Sequence, residues 1–471
     1  MAGSVQASPG FDLTPSASKA TLPSNYITNF DFLNQYLPDT YEKEFERYGN
    51  RSIASFLRMV GAEMPTNSDL IKWEEQGRLH TKYTGVTTAT ADGQDAATLE
   101  FTANHNLRVG QTIFMSDASG GSVSNKAIVT DANPSGTNPD QVVVAYYEAG
   151  GQATGMQAST DIVVFVYGSE FRKGSEGMVG SLEADPNIFE NKPIIIKDKY
   201  VVAGSDMAQI GWVEVTSENG ASGYLWYIKS EHETRLRFDD YLEMAMVEGV
   251  PAADGSGAEG YLSSNTGGGN AGTDGMFYTI ENEGNVWSGG NPTALSDFDA
   301  IIQRLDKQGA IQENVLFVNR EMGFDIDDML AAQNSYGAGG TSYGLFENDE
   351  QMALNLGFTG FKRGYEFYKS DWKYLNDATL RGGLVAGAIN GVLVPAGTTN
   401  VYDQVMGKNA RRPFLHVRYR ASETEDRRYK TWMTGSAGGA STSDLDAMEV
   451  NFLSERALCT MGANNFFIFK S

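Results

Sequence analysis

The stretch SGYLWYIKSEHETRLRFDDYLEMAMVEG, residues 222–249, constrains this chain more than any other. It reads as one helix of roughly 25 residues, hence about 37 Å long. Apolar residues mark both ends, at Leu225, Trp226 and Ile228 and again at Tyr241, Leu242, Met244 and Met246, but residues 229–235 are polar on every side. A helix buried against its own core needs a continuous apolar stripe. This one must therefore leave its waist either to solvent or to a partner. Lys229, Glu233 and Arg237 form an i, i+4 ladder of alternating sign, and Glu231, Arg235 and Asp239 form a second. Four such pairs contribute roughly 1 to 2 kcal/mol to the helix and leave hydrogen-bonding capacity over for other groups.

Composition narrows what that partner is. The chain has 471 residues, 41% of them hydrophobic, enough for substantial cores in about two to four domains. A formal charge of -24 argues against broad binding to phosphate backbones and favours solubility. The single cysteine, Cys459, excludes an internal disulfide and any cysteine-based metal cluster. Its small, apolar neighbours in RALCTMGA suit a buried packing thiol. No run approaches the apolar length of a membrane span, and MAGSVQASPGFDL has neither a basic nor an apolar leader region, so a soluble, unexported chain without a membrane role is expected.

Along the chain, residues 1–26 are rich in Ser, Ala, Pro and Gly and read as an arm. Residues 41–83 follow a helical pattern broken at Gly49, Pro65 and Gly77. Residues 84–167 change character: ATLEFTA, QTIFMSD, KAIVTDA, QVVVAYYE and DIVVFVY are short alternating runs separated by turn residues, the pattern of a small all-β barrel or sandwich. The flanking RLHTKY and GSEFRKGSEGMVG read as two strands of an extended excursion with the β unit inserted at its tip. Residues 251–275 read as a flexible Gly/Ser segment.

Next comes a mixed region. A helix is expected to be capped at Ser296, with Phe298, Ile301, Ile302 and Leu305 on one face, and stopped at Gly309. The strand NVLFVN, the helix REMGFDIDDMLAAQ and the strands GFKRGYEFYKS, NGVLVPAG and FLHVRYRAS follow. NNFFIFK reads as a terminal strand inside the fold.

Motifs of chemistry are sparse. Gly255, Gly257 and Gly260 match G-x-G-x-x-G, yet the sequence suggests neither an entering strand nor a departing helix. Asp131, Asn133, Ser135 and Gly136 imitate the first half of a calcium loop, but Val142 stands where a bidentate acid is required. His80, His105, His232 and His416 lie far apart, without metal-ligand spacing. No catalytic residue, cofactor or metal is expected. One basic cluster stands out, with Arg411, Arg412, Arg427 and Arg428 at its centre and Arg418, Arg420 and Lys430 beside them. It is interleaved with Glu423, Glu425 and Asp426, which suits a protein contact through Arg–carboxylate pairs, a solvated loop or a nucleic-acid patch.

The order of these elements resembles the major capsid proteins of tailed bacteriophages, with the Hong Kong 97-type fold. That family's plan is α+β: an N-terminal arm, an extended E-loop, a peripheral domain with a long spine helix, an axial α/β domain and a strand returning to the peripheral domain. The resemblance places the arm at 1–40, a segment leading into the E-loop at 41–83, the inserted β domain at 84–167, and the return strand of the E-loop at 168–200. The peripheral domain falls at 201–310 with its spine at 224–248, the axial domain at 311–435, and the C-terminal return at 436–471. It implies a protein that is not an enzyme and that assembles into hexamers and pentamers of an icosahedral head. Scaffold, portal and decoration proteins are its expected partners, and it encloses packaged DNA without sequence-specific binding. It belongs in the virion, and in host cytoplasm during assembly. Under this resemblance Lys229, Glu231, Glu233, Arg235, Arg237 and Asp239 meet neighbouring subunits, as do Arg411, Arg412, Arg427 and Arg428. A phage tail, fibre or adhesin protein is the alternative, followed by a carbohydrate-active enzyme.

Overall fold

The computed structural model describes residues 5–7, 11–13, 56–57, 62–92, 96–118, 123–133, 140–149, 151, 161–183, 186–208, 215–216, 222–223, 226–264, 271–309, 311–334, 360–403, 408–439 and 441–470. The arm expected at 1–40 lies outside these, except for two short strands, Val5–Ala7 and Phe11–Leu13, that pair antiparallel. The described chain is mixed helix and strand and divides into two compact units, each with its own core.

The smaller unit includes residues 196–243 and 429–454. Lys430–Gly435 pairs antiparallel with the first half of Ala447–Thr460, Lys430 opposite Leu453 and Gly435 opposite Met448. Ile194–Ala203 also pairs with that long strand. Because side chains alternate across a strand, Met448, Val450 and Phe452 share one face. They pack with Val202 against Phe238 and Leu242 of the helix Trp226–Glu248. Phe238 lies 5.7 Å from Phe452 and meets Tyr429 edge-on at 5.3 Å.

The larger unit comprises residues 55–195, 244–428 and 455–471. Within it, six strands close a barrel in the order Ile162–Ser169, Lys82–Asp92, Ala96–Glu100, Gln141–Tyr146, Ser124–Asp131, Gln111–Asp117. Val86, Leu99, Ile113, Met115, Ala127, Val129, Val142, Val144, Ile162 and Val164 fill its interior. Closure pairs every strand on both sides, which removes exposed edges.

The helical pattern expected at 41–83 is corrected where the structure describes it. Residues 41–55 lie outside the described set, Phe56 and Leu57 are helical, but Ala62–Thr66 and Ile71–Glu75 are strands. Partners distant in sequence override local propensity here. Ala62–Thr66 runs parallel to Leu415–Arg420, and Ile71–Glu75 pairs antiparallel with Asn187–Asn191.

The excursion is therefore a ribbon at 71–75 and 187–191. The flanks expected to carry it do not pair with each other: Lys82 and Tyr83 already belong to the barrel, and 170–183 holds no strand. Gly174 and Gly180, at φ 81° and 80°, turn that segment through conformations that break a ladder. Residues 251–275 are corrected too, since Gly257–Ser264 is helical.

The remaining core surrounds a six-stranded mixed sheet, ordered Asn285–Trp287, Phe467–Lys470, Ile389–Pro395, Glu313–Val318, Tyr365–Asp371, Gly360–Arg363. The chain's last strand thus sits between two others, parallel to Asn285–Trp287 and antiparallel to Ile389–Pro395. The C-terminal segment expected to return as one piece at 436–471 divides instead, with 455–471 grouped with this sheet's unit. Helices Leu295–Gln308 and Arg320–Asn334 cover the sheet with Phe298, Ile301, Leu305, Met322, Ile326 and Met329. Gly309 ends the first helix at φ 93°. Its start is not Ser296: the Asp297 carboxylate accepts the backbone N–H groups of Thr293 and Ala294, each at 3.1 Å.

Candidate functional site

The helix Trp226–Glu248 carries a buried stripe that is narrow at its waist and widens toward its C-terminal end, where Glu243 and Val247 are buried too. Thr234, Phe238, Leu242 and Met246, spaced by four, are buried. The Thr234 hydroxyl donates to the Ser230 carbonyl at 2.9 Å, which lets a polar residue extend the stripe into the charged waist. Lys229 and Glu233 approach to 3.7 Å, and Glu231 and Arg235 to 3.4 Å, closing the first rung of each ladder. Lys229 is largely covered, whereas Arg235 and Arg237 are exposed. The Arg235 guanidinium lies 6.0 Å from the centre of the Phe452 ring. Asp239 is half-buried. The waist therefore presents two arginines outward from a helix anchored along one edge.

The basic cluster is largely committed within the chain. Arg427 pairs with Glu455 at 2.8 Å, and the Glu455 backbone N–H donates to the Arg427 carbonyl at 3.0 Å. Arg428 pairs with Glu63 and lies 5.7 Å from the Tyr419 ring centre. Arg456, nearly buried, reaches the same Glu63 carboxylate at 3.6 Å and donates to the Arg428 carbonyl at 3.0 Å. Arg420 pairs with Asp69. Arg411 and Arg412 occupy the strand Lys408–Pro413, opposite Asn400 and Thr399 of Thr398–Asp403. The acids that hold Arg427, Arg428 and Arg420 are distant in sequence, so reading the neighbouring Glu423, Glu425 and Asp426 could not find them.

Two further features had no sequence signal. The segments flanking the barrel expose isolated apolar side chains, with Leu79 93% and Val179 82% exposed and Leu182 also open to solvent. Leaving such a side chain in water forgoes roughly 1.5 to 3 kcal/mol of burial. At the spine's C-terminal end, Glu248 receives both the Arg381 guanidinium and the Tyr374 hydroxyl, the latter at 2.5 Å, and Arg381 lies 5.1 Å from the Phe277 ring centre. Burial, followed by Glu248, holds the Tyr374 phenol well above its ordinary range.

The G-x-G-x-x-G match, expected to lack a helix, does have one starting at Gly257, but no strand enters it. Its helix start is already occupied, since the Glu259 carboxylate accepts the Gly255 N–H at 2.7 Å. His416 is buried and faces the Pro413 carbonyl at 3.3 Å.

No family model and no curated protein matches this chain. Solved structures do. One from Microbacterium phage Oxtober96 is 10% identical, with a TM-score of 0.38, over 94% of this chain and 99% of that one. The capsid of a native GTA particle is 9% identical at TM-score 0.37, over 95% and 98%. The mature capsid of bacteriophage PhiM1 is 9% identical at TM-score 0.33, over 64% and 78%. No residue role is carried over from them.

Proposed function

We propose that this chain is a major capsid protein of a tailed bacteriophage, with the Hong Kong 97-type plan. Repeated copies form hexamers and pentamers of an icosahedral shell around double-stranded DNA that the protein does not read by sequence. The support is the order of elements: a ribbon whose two strands enclose a barrel, then a helix of 23 residues, then a mixed sheet that takes in the last strand. The exposed Leu79 and Val179 add to it, because apolar side chains on extended segments gain burial only against another surface. In this reading the barrel is an inserted domain that adds contacts across the shell. Lys229, Glu231, Glu233, Arg235, Arg237 and Asp239 meet a neighbouring subunit. Arg427 and Arg428 brace their own chain, and Arg411 and Arg412 remain candidates for contact. Many modest contacts, summed by symmetry, hold such a shell.

The test is negative-stain microscopy of the expressed chain beside an R235E/R237E double variant. Wild type is expected to form shells or rings of five and six. The double variant should keep its helical content, since exposed pairs contribute about 1 kcal/mol or less, and yield no particles. Normal particles from the variant would remove the waist from the contact surface. Monodisperse wild-type monomers under all conditions would overturn the shell reading.

A further inference from the structure

The outer wall of the barrel carries a row of side chains that its interior does not use. Residues adjacent to the interior Val164, Met115 and Ala127 point outward, because side chains alternate across a strand. Strand register sets four such residues in line: Lys82 lies opposite Phe165, Phe165 opposite Phe114, and Phe114 opposite Lys126. At about 4.8 Å per strand, the row spans about 14 Å. The two phenylalanine rings stand 5.1 Å apart, inclined at 34°, and so make one surface. Phe165 is 39% exposed, and the bulge between Val166 and Gly168 leaves Tyr167 48% exposed, its ring centre 5.7 Å from the Lys126 ammonium.

Charge is distributed unevenly around this row. Residues 82–169 hold eight acids and three bases, Lys82, Arg108 and Lys126. The Arg108 guanidinium donates to the Gly180 carbonyl at 2.9 Å. The other two bases are the exposed ends of the row, and among the described residues neither pairs with a carboxylate. Tyr147, whose N–H donates to the Lys126 carbonyl, directs its hydroxyl to Glu170 at 2.6 Å, so the Glu170 carboxylate is already engaged. An acidic barrel that keeps its two uncommitted cations at either end of an aromatic pair complements a ligand with apolar faces and spaced anionic groups.

The barrel's form narrows that ligand. Closure leaves no edge for an added peptide strand. Two lysines on an acidic barrel do not make the basic track that a nucleic-acid backbone requires. A sugar ring, by contrast, offers a C–H face that stacks on an aromatic ring, and a uronate adds a carboxylate within reach of a lysine. We propose that this outer face binds an acidic polysaccharide, with sugar rings stacked on Phe165, Phe114 and Tyr167 and carboxylates held by Lys82 and Lys126. Binding here uses only the barrel surface and does not depend on shell formation.

Affinity electrophoresis of the unassembled full chain tests this, in native gels containing polygalacturonate, hyaluronan or neutral dextran. At least one acidic polymer should retard the wild type, dextran should not, and the retardation should weaken as salt screens the lysines. F165A/Y167A and, separately, K82Q/K126Q should each weaken apparent affinity by at least about tenfold, with circular dichroism unchanged because these side chains are exposed. If F165A/Y167A folds poorly, K82Q/K126Q carries the test. Absence of retardation by both acidic polymers overturns the proposal, as does equal retardation by dextran or wild-type affinity in a folded K82Q/K126Q. Stronger retardation by poly-dT would assign the face to nucleic acid instead, and concentration-dependent dimers abolished by F165A/Y167A would assign it to a second copy of the chain.

Discussion

The barrel and the six-stranded sheet solve the same packing problem with different shares of local pairing. Each barrel strand but the closing one pairs with a partner that follows or precedes it within one connection or a short excursion, as Gln111–Asp117 does with Ser124–Asp131 and Ser124–Asp131 with Gln141–Tyr146. In the sheet, Asn285–Trp287 pairs with Phe467–Lys470, and Ile389–Pro395 also waits for that last strand. Closing long loops costs entropy before the contacts repay it, so the pairings of Phe467–Lys470 are costlier to close than the hairpin Gly360–Arg363/Tyr365–Asp371 in the same sheet. The strand Phe467–Lys470 therefore matters to the sheet and not to the barrel.

The largest expected effect follows from this. Phe467 and Phe469 are fully buried between neighbouring strands, and Phe467→Ala should cost about 3 to 5 kcal/mol. Chemical denaturation followed by hydrogen exchange should show the loss in amides of 313–318 and 389–395, with amides of 111–117 unmoved. Equal loss in the barrel would merge the two regions into one cooperative unit.

The converse change is somewhat smaller. Ile113→Ala, in the barrel's closed interior, should cost about 2 to 5 kcal/mol and be felt only there. The same comparison predicts that residues 82–169 expressed alone give a cooperative β-type melt by circular dichroism, since about 80 residues can hold an independent core. An excised barrel that is unfolded would make it dependent on the rest of its unit.

The smallest effect reads the non-local part without destabilising it. Cys459 is buried beside Ile71 and Trp73, and burial pushes its thiol up to about 12. At about pH 8 it is a neutral, covered thiol, so alkylation should be at least about a hundredfold slower than in denaturant. Fast native labelling would mean that the ribbon lifts from the strand far more often than the barrel opens.

Legibility followed the same division. The barrel strands ATLEFTA, QTIFMSD, KAIVTDA, QVVVAYYE and DIVVFVY were visible as alternation, because a strand half-facing a core writes its own period of two. The helix after Ala294 was visible through Phe298, Ile301 and Leu305, although its cap was the Asp297 carboxylate rather than Ser296. Residues 71–75 misled, because IKWEE carries no marker of a partner that sits at 187–191. The charge ladders of the spine were legible as spacing. That Lys229 is covered while Arg235 and Arg237 stand outward depends on which edge Phe238 and Leu242 anchor.

What the amino-acid sequence determined alone is whatever repeats over a few residues: the barrel's alternation, the helical faces, the i, i+4 charges and the glycines that end elements. Tertiary structure decided which carboxylates hold Arg427 and Arg428, where the last strand inserts, and which lysines flank the Phe165–Phe114 pair. Those depend on groups brought together across the whole chain. Local spacing fixes the direction in which a side chain leaves the backbone, but the distance between two distant residues is set only when a core closes between them.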